Sequence, residues 1–229
     1  MDLRQALREA LRLLFTLDSH VLTAAWTSLY VSTLAVLLAS FIGIPVGFLL
    51  GIHRFKGREV LLTVFNILMA LPTVVIGLLG YALISRQGPF GSLQLLFTPA
   101  AMIFGQSVLA GPIIIVLTQT AVQATDPRVR RTAIVLGASR LQAALLMMQE
   151  ARYALIASIV AGFGRVIGEV GTAMMLGGNI KGYTRTLSTA IALETSKGEF
   201  SFGLALGIVL MSIASGVNML LRILQQKRA

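Results

Sequence analysis

Residues 125–150 read TDPRVRRTAIVLGASRLQAALLMMQE, a basic stretch set between hydrophobic runs. It carries Arg128, Arg130, Arg131 and Arg140 against two carboxylates, Asp126 and Glu150. Asp126 is of a type that caps a helix N-terminus, and Pro127 suits the first helical position, where no amide donor is missed. Gly137 can take the left-handed conformation that ends such a helix. Ser139 followed by Gln142 has capping-box spacing and starts a second helix. The spacing therefore predicts two short helices hinged at Gly137, a basic helix–glycine–helix loop placed to touch something outside the bilayer.

The bilayer is implied by what surrounds the loop. The chain is 56% hydrophobic and only 12% charged, about half the usual share of charge in a soluble domain. Val21–Ile52, Val60–Ser85, Gln87–Thr125 and Phe200–Leu221 contain no Asp, Glu, Lys or Arg, and Tyr153–Ile180 is interrupted only by Arg165 and Glu169. Each run exceeds the roughly 20 residues that cross a bilayer. The expected fold is an all-α polytopic membrane protein. Five transmembrane helices fall at about 22–52, 60–84, 100–122, 154–176 and 200–221, within a membrane domain covering 21–224. Residues 1–20 form an N-terminal segment in which Leu3, Ala6, Leu7, Ala10, Leu11 and Leu14 face away from Arg4, Arg8, Glu9 and Arg12. This is the pattern of an amphipathic helix lying on a membrane rather than of a cleavable signal.

Five spans put the termini on opposite sides. Arg54, Lys56, Arg58, Arg128, Arg130, Arg131, Arg140, Arg152, Arg222, Lys227 and Arg228 share one side, while Arg86, Lys181, Arg185 and Lys197 share the other. The positive-inside rule then places residues 125–150 and the C-terminus in the cytoplasm and the N-terminus outside, with Arg4, Arg8 and Arg12 as dissenting charges. The net charge of +10 is thus a topology signal, and nucleic-acid binding is disfavoured because no soluble face carries it. Absence of cysteine removes disulfides, thiol nucleophiles and thiolate metal sites.

Within the spans, Gly43, Gly47 and Gly51 recur every four residues and permit close helix approach around Pro45. Leu71-Pro72-Thr73 interrupts the second span, and broken helices are tolerated where they line a cavity or pack on protein. Gln106, Ser107, Gly111 and Pro112 predict a polar, irregular middle for the third. In AGFGRVIGEVGTAMMLGGN, residues 161–179, Arg165 and Glu169 lie one helical turn apart and Thr172 continues their face. Gly164, Gly168 and Gly171 form an adjacent stripe suited to close approach of another helix. Charges within a span are costly and are usually paired. The pair is read either as a pathway or gate element or as an ion pair locking two helices, and both place Glu169 against protein.

No GxxxxGK[ST] phosphate loop, HExxH or GxSxG is present. A transport role therefore needs an ion gradient or an energising partner.

The loop and the fourth span resemble the cytoplasmic loop of permeases of type I binding-protein-dependent ABC importers. That pattern runs Glu-Ala-Ala, three residues, Gly, nine residues, Ile-x-Leu-Pro. Gly137 takes the glycine, and Ala133 lies in the preceding helix. LGAS at 136–139 and GEVG at 168–171 look like the molybdate, tungstate and sulfate branch. GGNIKGYTRTLSTAIALE at 177–194 is most like tungstate permeases. Arg131 stands where the pattern has its glutamate and Thr132 where it has alanine. Met147, Gln149 and Glu150 replace Ile, Leu and Pro, so the second loop helix is expected to run straight into the fourth span.

The resemblance implies a transport subunit and no enzyme, in a bacterial or archaeal cytoplasmic membrane. It would bind no cofactor of its own, ATP being bound by a partner, and no metal. It implies a homodimer, two cytoplasmic ATPase subunits and an extracytoplasmic oxyanion-binding protein. It assigns ATPase coupling to Arg130, Arg131, Ala133, Gly137, Ala138, Ser139 and Leu141; the residues themselves nominate Arg165, Glu169, Gly171, Thr172 and Asn179 for the translocation pathway or gate. The cargo would be tungstate, with molybdate or sulfate as alternatives. A gradient-driven carrier and a membrane enzyme using Glu169 are readings from other classes. The first lacks a visible internal repeat, and the second lacks a nearby second acid, nucleophile or metal ligand.

Overall fold

The computed structural model describes Arg8, Leu11, Arg12 and residues 19–226, with side chains to residue 219. The amphipathic helix expected over residues 3–14 lies outside the described residues apart from Arg8, Leu11 and Arg12, which are helical and exposed.

Ser19–Ile52 forms one helix, α1, of 34 residues, roughly 50 Å long at 1.5 Å per residue. A turn at 53–57 leads to α2 (Arg58–Met69) and α3 (Thr73–Ile84), and after a single 3₁₀ turn comes α4 (Pro99–Ala124). The loop then supplies α5 (Pro127–Val135) and α6 (Arg140–Glu150). There follow α7 (Arg152–Ile167), α8 (Gly171–Gly177), α9 (Leu187–Ser196) and α10 (Phe200–Gln226). No strand occurs among the described residues. Among the described residues three helices, α1, α4 and α10, are long and apolar enough to cross a membrane; with two bent pairs, α2–α3 and α6–α7, the number reaches five if each pair is one span.

The bends are where sequence expectation and structure part. The second span folds by 97° between α2 and α3. Pro72 has no N–H to continue the ladder, and its ψ of 127° turns the chain out of helical space. The second loop helix does not run straight into the fourth span: α6 and α7 meet at 65°. Ala151, at φ −78° and ψ −2°, caps α6 and starts α7. The bend seats Met147 against Phe48 and Val122 and brings Ser158 to Thr118, so tertiary packing replaces the missing proline. The fourth span is also shorter than 154–176, because α7 stops at Ile167 and the chain restarts as α8. Conversely, α4 is helical throughout. Gln106 accepts from the Ser32 hydroxyl at 3.4 Å, and the Ser107 hydroxyl lies 3.0 Å from the Ala35 carbonyl oxygen. These polar residues fasten α4 to α1 instead of disordering it.

The core lies where α1, α4 and α7 cross, with Val36 and Ala39 meeting Leu109, Ala110 and Ile114 of α4 and Phe163, Val166 and Ile167 of α7. The glycine repeat sets the α1–α4 distance. A methyl on Gly47 would collide with the Ile115 carbonyl oxygen and lie 2.8 Å from Thr118 Cβ, and one on Gly51 would lie 2.7 Å from Val122. Backbone cannot yield as a rotamer can. Gly47→Leu is therefore expected to cost about 3 kcal/mol or more, read as loss of monodisperse protein in detergent. A variant as stable as the parent would show that the helices separate freely.

A second cluster joins the start of α1 to α9 and α10 through Val21, Ala24, Leu187, Ala190 and Leu206. There the Leu187 amide donates to Ser28 Oγ at 2.7 Å, satisfying a first-turn N–H that α9 leaves open.

Candidate functional site

The break between α7 and α8 is held by Glu169. Its side chain is 5% exposed. Oε2 accepts from Arg165 Nη1 at 3.0 Å, and Oε1 accepts from the Thr172 amide at 3.2 Å. The Glu169 carbonyl accepts from Ser188 Oγ of α9 at 2.8 Å. One residue thus balances a guanidinium in the last turn of α7, caps the first turn of α8 and ties both to α9. Thr172 does not continue a helical face with Arg165 and Glu169, since the helix has ended by Gly168. It restarts the chain, and its hydroxyl donates to the Thr73 carbonyl at 2.9 Å.

That bond joins the Pro72 break to the Glu169 break. Thr73 begins α3 immediately after the Pro72 bend, and Gly171 begins α8 immediately after the Glu169 bend. A methyl on Gly171 would sit 2.9 Å from Thr73 Oγ1, and one on Gly77 would sit 3.1 Å from Thr172 Cα. The two half-helices meet backbone to backbone because glycine stands on both sides. Leu71-Pro72-Thr73 and Gly171 each stand out in the sequence, but only the first shows a break there, so their pairing was not legible. Gly164 and Gly168 do not join this seam. A methyl on either would meet nothing within 4 Å, so the close approach expected for the stripe occurs at Gly171 and, one turn before Val166, at Gly162 against Ile114.

Asn179 lies just beyond α8 in the left-handed region, φ 51°. Arg185 Nε donates to its Oδ1 at 3.2 Å and Nη2 to its carbonyl at 3.3 Å. Thr184 Oγ1 donates to the Gly177 carbonyl and accepts from the Ile180 amide at 3.0 Å. Thr186 caps α9 reciprocally with Thr189. The hydroxyl and amide donors of this stretch are engaged in holding the α8–α9 turn rather than free for an anion. Arg165 differs: its side chain is 34% exposed, and among the described residues Nε and Nη2 have no partner.

The loop at the other end of α7 forms as its caps predict. Asp126 Oδ1 accepts from the Arg128 amide at 2.8 Å. Gly137 has φ 88°, a conformation that favours glycine. Ser139 and Gln142 form both bonds of the capping box. Ala133 is buried where α5 meets α6, whereas Arg130, Arg131, Ser139 and Leu141 are exposed and Ala138 half-buried. Apolar side chains crown the hinge. Val135 is 84% exposed, Leu136 81% and Leu141 70%, apolar side chains left uncovered around the hinge.

A model of the family described as "Binding-protein-dependent transport system inner membrane component" matches residues 43–229. The chain belongs to this family. As a member of it, the chain is a multi-pass inner-membrane protein of a kind that assembles as dimers and works with ATPase and binding-protein partners. It is 42% identical to the tungstate uptake system permease protein TupB of Campylobacter jejuni, over 92% of this chain and 88% of that one. It is 37% identical to TupB of Peptoclostridium acidaminophilum, over 97% and 98%. A solved methionine ABC transporter, MetNI, has a chain with the same fold at TM-score 0.72 and 18% identity, covering 91% of this chain and 97% of that one.

Proposed function

We propose that the chain is the membrane permease of an ATP-driven, binding-protein-dependent importer that carries tungstate. What supports this reading best is the pair of full-length relatives named as tungstate permeases, joined to a loop that leaves Val135, Leu136 and Leu141 uncovered. Two copies form the pathway. Each presents Gly137 and its flanking residues Arg130, Arg131, Ala138, Ser139 and Leu141 to a cytoplasmic ATPase, while Ala133 keeps α5 seated on α6. The loop and C-terminus face the cytoplasm and the N-terminus faces outward, where a binding protein delivers the anion. ATP binds the partner subunit, and the chain itself holds no cofactor.

In this reading Arg165 offers the pathway the donors Nε and Nη2, which have no partner among the described residues. Glu169, Gly171, Thr172 and Asn179 position the seam on which the pathway opens and closes. A fixed, fully desolvated anion cage would hold its cargo, whereas transport needs a site weak enough to release it. Molybdate and sulfate, of equal charge, are the second reading of the cargo, and discrimination between them falls to the binding protein.

The test is uptake by proteoliposomes containing the permease, its ATPase and its binding protein. Tungstate is expected to accumulate only with internal ATP. Accumulation driven by a proton or sodium gradient without ATP would sink the proposal and favour a carrier using Glu169.

A further inference from the structure

A second surface feature lies at the loop end of the bundle, on the side of α1 turned away from the loop. Val46, Leu49, Leu50, His53, Arg54 and Phe55 line an open groove of about 510 Å³. Val46, Leu49, Leu50 and His53 recur at helical spacing and share one face of α1. Phe48, which packs on Val122 of α4 and Met147 of α6, points the opposite way, so a partner seated on the α5–α6 loop does not cover the groove. The groove instead continues an exposed wall of α1 formed by Leu34, Leu38, Phe41, Ile42 and Leu49, the apolar composition that a span turns toward lipid.

The rim is cationic. Arg54 and Lys56 are exposed, and neither has an ion-pair partner among the described residues. Arg58, the first residue of α2, is buried. Its Nε donates to the Leu50 carbonyl at 2.7 Å and Nη1 pairs with Glu59, while Nη2 is buried with no hydrogen-bond partner among the described residues. Glu59 is thereby engaged, leaving the turn with uncompensated positive charge directly over an apolar slot.

We propose that this groove holds an anionic phospholipid, its phosphate between Arg54, Lys56 and His53 and one acyl chain along Val46, Leu49 and Phe55. An acidic protein surface would satisfy the cations but leave the apolar slot unfilled. A neutral lipid would fill the slot but leave the cations unmatched. Basic pockets at the cytoplasmic ends of spans recognise anionic headgroups on this combination of terms. The site rests on the proposed cytoplasmic placement of this turn but is independent of the cargo and of the ATPase reading.

Full-length protein with Trp26→Phe and Phe55→Trp carries a single indole, at the groove mouth. In mixed vesicles, brominated phosphatidylglycerol is expected to quench it with a higher association constant than brominated phosphatidylcholine, by about fivefold per cation. Arg54→Ala with Lys56→Ala abolishes the preference, and Arg54→Lys with Lys56→Arg keeps it. Equal quenching by the two lipids overturns the proposal, because it means either a nonselective surface or a groove covered by protein. A preference that survives removal of both cations overturns it as well.

Discussion

Arg165→Ala is expected to destabilise the protein more than Glu169→Ala does, although the two residues form one ion pair. Removing Arg165 leaves a carboxylate that is 5% exposed with only the Thr172 amide to balance it. Breaking a buried pair in this way costs about 3–5 kcal/mol. Removing Glu169 leaves a guanidinium that is 34% exposed and can recover part of its solvation. What is lost is then chiefly the acceptor for the first turn of α8, about 1 kcal/mol, and the weaker part of the pair. Thermal unfolding in detergent is the measurement. At about 2–4 °C per kcal/mol for a chain of this size, Arg165→Ala should lower the midpoint by roughly 10 °C and Glu169→Ala by less than half of that. The double variant should resemble Glu169→Ala, because no buried charge then remains uncompensated.

Exchanging the charges, Arg165→Glu with Glu169→Arg, separates this account from a simple ion pair. A simple pair tolerates exchange. Here position 169 must accept a hydrogen bond from the Thr172 amide, which no guanidinium can do, and a cation would stand against the positive end of α8. The exchange should fail to restore stability, whereas Glu169→Gln, which keeps an acceptor oxygen, should recover part of it. Full rescue by the exchange would show that α8 capping contributes nothing.

How much of this was legible in the sequence depended on whether the deciding interaction was local. Asp126, Pro127, Gly137 and the Ser139–Gln142 box act within a few residues of themselves, and the α5–α6 loop forms as they specify. Gly43, Gly47 and Gly51 also read correctly, because a four-residue glycine repeat has one effect on a helix surface wherever it packs. The fourth span did not. Apart from Arg165 and Glu169 its apolar run continues past Ile167, and a charge at 169 does not by itself announce that it leaves the helix to cap the next one. That outcome depends on Thr73 and Ser188, brought in from α3 and α9. The polar centre of α4 misled for the mirror-image reason: Gln106 and Ser107 look disruptive alone and become fasteners once Ser32 and the Ala35 carbonyl lie opposite.

The largest functional effect is expected at the hinge, from Gly137→Leu and Leu141→Glu. Gly137 has φ 88°, and a side chain there would meet no atom within 4 Å. Its replacement therefore adds only the conformational cost of a non-glycine residue in the left-handed region, about 1–2 kcal/mol. Leu141 is 70% exposed, and an exposed leucine can be exchanged for a charge at little cost to the isolated chain. Both variants should insert in the membrane and unfold within a few degrees of the parent. Coupled uptake is another matter. If the apolar crown of the loop sits in a groove on the ATPase, a leucine protruding from the hinge or a carboxylate buried there removes contacts of the central, desolvated kind, worth about 2 kcal/mol or more. Tungstate uptake should fall at least about 30-fold, while the ATPase alone hydrolyses ATP as before. The contrast with Arg165→Ala is the critical one, since that variant loses uptake together with stability. Wild-type uptake by either hinge variant would mean that the exposed loop is not where energy enters the membrane protein.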